Sequence, residues 1–166
     1  MIGRRRPKSG GVEHPDNPES ARRTALLWLG RRDHSSTELL GKLVAKGHTP
    51  EAAQAAVAAL EAERLLNDAR FLENFVRSHA ARGQGPMRIR QELGGLGFTS
   101  ATIEAALAEG PDFVEVCRQV RRRKFGAEPP TSWAERAKQA RFLQYRGFSS
   151  DHIRLATGHD PEAHSD

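Results

Sequence analysis

DARFLENFVRSHAARGQGPMRIRQELGGLG, residues 68–97, is the stretch that decides the fold. Phe71, Leu72, Phe75, Val76 and Ala80 recur at helical spacing. The run Gly83-Gln84-Gly85-Pro86 breaks that helix, and Ile89, Leu93 and Leu96 mark a second one. The spacing predicts helices over 71–80 and 87–96 joined by a simple turn. Arg70, Arg77, Arg82, Arg88 and Arg90 decorate the pair.

The same punctuation recurs on either side. Gly47-His48-Thr49, Gly97-Phe98-Thr99 and Gly147-Phe148-Ser149 place Gly-x-Ser/Thr at intervals of 50 residues, with Leu43, Leu93 and Leu143 four positions before each glycine. Val57 and Leu107 match at ten positions after. A glycine can take the left-handed backbone that closes one helix, and the hydroxyl can cap the next. One such triplet says little, but three at one period between apolar helical patterns mark an internal repeat.

Outward from these junctions, the first repeat reads as helices over 20–32, from Ser35 onward, and 50–64. Ser35 and Glu38 have capping-box spacing, and Pro50 suits a first helical position. The second repeat adds a helix over 100–109. The third is expected as helices over 112–125, 133–146 and 151–157, with a longer break at Gly126 and Pro129-Pro130. The expected fold is all-α: three tandem three-helix repeats forming an elongated, curved molecule with Gly-Pro hinges. Its divisions are a disordered basic leader over 1–18, repeats over 19–66, 67–110 and 111–158, and a disordered tail over 159–166. Repeats of about 40 to 50 residues are near the lower limit for folding alone, so neighbours should share apolar surface.

Composition agrees with a helical protein: hydrophobic residues make up 37% and aromatics 6%. No apolar run reaches the roughly 18 residues of a spanning helix, and the basic N-terminus has no hydrophobic segment behind it, so a cytoplasmic protein with no membrane association is expected. The single cysteine, Cys117, excludes an intramolecular disulfide and lies on an apolar face with Phe113, Val116 and Val120, as a core thiol would. The net charge of +5 sits at the ends: residues 1–32 carry 8 basic and 3 acidic residues, and residues 111–166 carry 10 and 8. That balance permits a polyanion or nucleoprotein partner.

Catalytic patterns are not evident. No P-loop, dinucleotide fingerprint or nucleophile elbow is present, and Gly83-Gln84-Gly85-Pro86 links two helices instead of following a strand. The histidines are scattered, the nearest tail pair being His159 and His164, so no metal site or cofactor is expected. Glu92 and Glu104 face basic neighbours as solvated surface carboxylates do. Helix-turn-helix reading of DNA is disfavoured, because the helix after Gly47 is mostly alanine and glutamate and SATIEAALAE has no Arg, Asn or Gln to read bases. The basic clusters are more informative. Arg118, Arg122 and Arg123 project opposite Val116, Cys117 and Val120, and Arg88 and Arg90 flank Ile89. Either phosphates or an acidic protein groove would suit them. Arg4, Arg5, Arg6 and Lys8 of the leader offer a further basic group.

Asn67-Asp68-x-Arg70-Phe71, Val76-Arg77 and Gly85-x-x-x-Ile89-x-x-Glu92-Leu93-x-x-x-Gly97 together resemble the central signature of the RecX family, the bacterial regulators of the RecA recombinase. Arg31-Arg32-Asp33-His34-Ser35 and Glu38-Leu39-x-x-Lys42-Leu43 extend the resemblance to the first repeat. It covers residues 20–157. The resemblance implies a non-enzymatic protein, without cofactors, that lies in the groove of the RecA–DNA filament. It further implies limits on filament growth, ATP hydrolysis, strand exchange and LexA cleavage in recombinational repair and the SOS response. The contacts expected on this basis are Arg70, Arg88, Arg90, Arg118, Arg121, Arg122, Arg123 and Lys124, with Phe71 helping to fix the central repeat. Gly47, Gly97 and Gly147 are the structural junctions. The partner is the filament, with DNA met through it or by weak direct binding to single or double strands, and the protein is expected as a monomer. The alternative is a non-specific DNA-binding protein of helical repeats acting without RecA.

Overall fold

A computed structural model describes residues 11–158. These residues form nine helices and no strand: α1 Pro18–Leu29, α2 Ser36–Lys46, α3 Pro50–Ala62, α4 Asp68–Ala81, α5 Pro86–Gly95, α6 Ser100–Ala108, α7 Phe113–Phe125, α8 Trp133–Tyr145 and α9 Ser150–Ala156. Helices of this length are marginal in isolation, so tertiary packing of their apolar faces must hold them. The basic group at residues 4–8 and the tail pair His159 and His164 lie outside the described residues.

The three junctions share one geometry. Gly47, Gly97 and Gly147 have φ of +116°, +89° and +93°. In each, the N–H of the following residue returns to the leucine carbonyl: His48 to Leu43 at 3.1 Å, Phe98 to Leu93 at 3.3 Å and Phe148 to Leu143 at 3.2 Å. This closes one helix by a six-to-one bond through a left-handed residue. The next hydroxyl then caps the helix that follows, Thr49 accepting from Ala52 N–H, Thr99 from Thr102 and Ser149 from His152. Leu43, Leu93 and Leu143 are all 0% exposed, each contributing on the order of 2 kcal/mol by burial.

The chain divides into two compact units, one ending at Phe71 and one beginning at Leu72. In the first unit, Ala21 and Ala25 of α1 and Ala53 and Ala56 of α3 share a core with Leu39, Leu43, Val57, Leu60 and Leu66. The alanines of α3 are thus packing residues: small side chains let two helices approach closely. The first turn of α4 belongs to this unit because Asp68 accepts the Ser36 N–H at 2.8 Å, and Arg70 lies 4.0 Å from Asp33.

A corner of this unit holds a polar network. Arg32 forks onto Glu38, and Lys42 donates to His34 Nε2 at 3.1 Å while lying 4.6 Å from the centre of the Trp28 ring. Ser35 caps α2 as expected, but the Glu38 carboxylate is engaged by Arg32. Residues 15–17, expected within the disordered leader over 1–18, are bonded to the helices. Thr49 N–H donates to the Pro15 carbonyl at 2.8 Å, and Asn17 caps α1 by accepting from Glu19 N–H at 2.9 Å.

In the second unit, the second and third repeats are joined through backbone. Gly85 N–H donates to Arg146 O at 2.8 Å and Met87 N–H to Gly147 O at 3.0 Å. The Gly-Pro break at 85–86 therefore docks on the third repeat and is not a free hinge. Gly110 is also packed, since a Cβ there would lie 2.9 Å from Val76 Cγ1. Cys117 is 0% exposed, and burial pushes its thiol up to about 12.

Candidate functional site

The candidate site grows out of α7 and α8. Val120 and Cys117 turn α7 inward, which leaves Arg122, Arg123 and Lys124 exposed in its last turn. Cations there also meet the negative end of the helix dipole favourably. Lys124 Nζ and Arg146 Cζ each lie 5.7 Å from the centre of the Phe142 ring, and Phe125 meets that ring edge-on with centroids 5.4 Å apart. The aromatic pair thus ties the end of α7 to α8 and sets two cations on one ring.

Residues 121–146 contain eight Arg and Lys against two Glu, a local net charge of +6. Among the described residues, none of Arg122, Arg123, Lys124, Arg136, Lys138, Arg141 and Arg146 has a carboxylate oxygen within 4.0 Å. Glu135 accepts the Thr131 N–H and hydroxyl at 3.1 and 3.3 Å, and these bonds first, with a smaller contribution from the Lys138 charge, hold its carboxyl below the usual range. A concentration of like charge with few internal counter-ions is costly for the free protein and favours an anionic partner.

The other expected contacts fall differently. Arg121 is 4% exposed and spends its guanidinium on the carbonyls of Ala127 and Glu128, both at 2.9 Å. It fastens the Pro-rich loop instead of facing a partner, which corrects its place among the contacts. Arg90 is held by Glu104 through two bonds of 2.5 and 3.1 Å. The hydrogen bond raises the guanidinium above its ordinary pKa and lowers the carboxyl. Arg88 is bonded to Glu92 at 3.1 Å, and Glu92 also lies 3.2 Å from His79. Arg118 is half-exposed, 3.6 Å from Glu115. Arg70 belongs to the first unit, where it also donates to Leu65 O at 3.4 Å.

Through the Phe142 ring the structure brings Lys124, beside Arg122 and Arg123, to Arg146; Arg136, Lys138 and Arg141 lie elsewhere around α8, and all four α8 cations were passed over by sequence reasoning. They are dispersed singly along and around α8, whereas the Arg118–Lys124 run is compact. The local charge count would have found them. Among the described residues no cluster of three His, Cys, Asp or Glu stands ready to hold a metal, and no helix is long and apolar enough to cross a membrane.

Comparison with known proteins adds to this geometry. Family models described as the first, second and third three-helix domains of RecX match residues 21–60, 67–107 and 111–157. A protein named "Regulatory protein RecX" from Pseudomonas fluorescens strain Pf-5 is 48% identical over 145 residues, which is 86% of this chain and 94% of that one. A protein of the same name from Stenotrophomonas maltophilia is 49% identical over 140 residues, covering 83% and 85%. The crystal structure of RecX from Lactobacillus salivarius superimposes with a TM-score of 0.72 at 22% identity, covering 84% of this chain and 93% of that one. A second RecX crystal structure gives 0.69 at 21% identity, covering 85% and 71%. These two structures share the fold.

Proposed function

The chain belongs to the RecX family of regulatory proteins, and on that premise we propose that it regulates the RecA recombinase, mainly as an inhibitor, by binding in the groove of the RecA–DNA filament. The observation that carries this reading is the cationic end of α7, where Arg122, Arg123 and Lys124 stand exposed with no carboxylate oxygen within 4.0 Å among the described residues. Such a face suits a nucleoprotein surface, where acidic side chains and phosphates alternate. Tandem repeats add weak contacts on neighbouring protomers, so occupancy follows from effective concentration and no catalytic group is required. On this reading the protein works in the cytoplasm, as a monomer and without a cofactor. It restrains ATP hydrolysis, strand exchange and LexA cleavage during recombinational repair and the SOS response. Arg122, Arg123 and Lys124 are the primary contacts, Arg118 is at their edge, and Arg70, Arg88 and Arg90 are secondary ones already engaged by carboxylates.

Co-sedimentation with RecA–single-stranded DNA filaments, beside DNA alone and RecA alone, tests the proposal. Binding should require the assembled filament and should slow its ATPase. Equal binding to naked DNA with no effect on ATPase would favour a general DNA-binding protein.

A further inference from the structure

The docking of Gly85 and Met87 on the end of α8 leaves a groove of about 690 Å³ beside that joint. Its floor is Gly147 and Phe148. Its sides are Met87, Gln91 and the bonded pair Arg88 and Glu92 from α5, Gln144 and Tyr145 from α8, and Ser150 of α9. Tyr145 is 79% exposed and Met87 53%, a large solvent-facing apolar area for residues that usually bury much of it.

Lys138, Arg141 and Tyr145 are three and four residues apart, so they share the outer face of α8 within about 11 Å along its axis. All three are exposed, and neither cation has a carboxylate within 4.0 Å among the described residues. One face therefore presents an open aromatic ring, two exposed cations beside it, Lys138 also within electrostatic reach of Glu135, and a recess with two amides that each offer a donor and an acceptor and a Glu92 carboxylate neutralised by Arg88.

We propose that this face is a single-stranded nucleic-acid subsite, in which one unstacked base lies against Tyr145 in the groove and the adjoining phosphates meet Arg141 and Lys138. An acidic peptide would satisfy the cations, and its backbone would bond the amides, but it supplies a flat partner for the ring only where it carries an aromatic side chain. A single strand supplies anion, aromatic plane and hydrogen-bonding edge together. A duplex keeps its bases stacked and supplies only the phosphates. The subsite deepens the filament reading, since the filament carries a single strand, and it assigns a part of the chain that meets it.

The test uses the full chain and a labelled oligo-thymidylate, followed by fluorescence anisotropy over a salt series, with a duplex of equal length as comparison. Circular dichroism establishes that each variant is folded. Tyr145→Ala should weaken oligonucleotide binding on the order of tenfold, and Tyr145→Phe should retain it, because stacking needs the ring and not the hydroxyl. Arg141→Ala and Lys138→Ala should each reduce the salt slope by about 0.7, while Tyr145→Ala leaves the slope unchanged.

The inference is overturned if Tyr145→Ala binds as the unaltered chain does, if Tyr145→Phe is as weak as Tyr145→Ala, or if the unaltered chain binds no oligonucleotide at low salt. Loss of binding to DNA-free RecA in Tyr145→Ala, with oligonucleotide binding intact, overturns it in favour of a protein contact. Oligonucleotide results as expected in a chain that leaves RecA filaments unaffected would sink the regulator reading and keep the subsite.

Discussion

Gly85 and Gly147 lie so close that a Cβ on Gly85 would stand 2.3 Å from both the carbonyl carbon and the carbonyl oxygen of Gly147. Reciprocally, a Cβ on Gly147 would meet Arg88 Cβ at 2.5 Å and Arg88 N at 2.8 Å. Both obstructions are at or next to backbone, which no rotamer change relieves. Gly85→Ala should therefore push the two repeats apart and strain both backbone bonds at the joint. A destabilisation of about 2–4 kcal/mol follows from the overlap and the lost bonds. Gly94→Ala is the counterpart: it lies inside α5 with nothing within 4 Å of its Cβ, and should stabilise by about 0.5–1 kcal/mol. Urea unfolding of the two variants beside the unaltered chain checks both signs.

Arg121 and its neighbours should separate stability from binding. Arg121→Glu places a carboxylate against two carbonyl oxygens in a site that is 4% exposed, and should cost on the order of 3–5 kcal/mol. Arg122→Glu with Arg123→Glu removes only favourable helix-end interactions, about 1 kcal/mol or less at each position. The double variant should stay folded and lose inhibition of RecA ATPase. Inhibition that survives the double reversal would remove this ridge from the contact surface.

His34 sets a pH dependence. Its Nδ1 lies 3.0 Å from the Arg32 carbonyl, so that nitrogen carries the proton, and Nε2 accepts from the Lys42 ammonium at 3.1 Å. Burial first, then the Arg32 and Lys42 charges, lower its pKa from the ordinary 6.5, against Glu38, which raises it. His152 is lowered too, by burial, against the opposing charges of Asp151 and Asp112. A lowered histidine favours the neutral form in the folded state. Stability is then full above about pH 6.5 and falls below it, because the unfolded chain takes up the proton first. Unfolding free energy should drop from pH 7.5 towards 5 with a slope of at most about 1.4 kcal/mol per pH unit for each histidine. His34→Gln should flatten part of that slope, and an unchanged profile would show that His34 does not titrate between the two states.

Cys117 should be inert in the native protein. Its thiol is fully buried and pushed up to about 12, so at pH 8 it holds almost no thiolate. Alkylation at pH 8 should be slow without denaturant and fast in urea. Rapid native labelling would mean that α7 opens readily.

The helices were legible because their ends are written in residue types with few alternatives. Glycine four residues after a buried leucine and a hydroxyl two residues later gave the junctions at 47, 97 and 147 directly. The burial of Arg121 was not legible. Its partners are two carbonyls in the Pro-rich loop, and carbonyls carry no side-chain signature, so one arginine of a run looks like the next. Its place next to Val120 and four after Cys117 was the only hint. Arg88 and Arg90 were located correctly on α5, but their carboxylate partners across turns and helices depend on rotamers that spacing does not fix. The joint at Gly85 and Gly147 was hidden for a related reason, since it consists of backbone meeting backbone 62 positions apart.

The three Gly-x-Ser/Thr junctions have a consequence for how quickly the chain finds its shape. Each closes bonds between residues only three to five positions apart, so little loop entropy stands in the way, and helix formation itself takes about a microsecond or less. The slow event should be the long-range meeting of residues 85–87 with 146–147, which brings together segments that no local bond has pre-aligned. Protection of the Gly85 and Met87 amides in pulsed hydrogen exchange should lag behind recovery of helical signal, and Gly85→Ala should lengthen that lag.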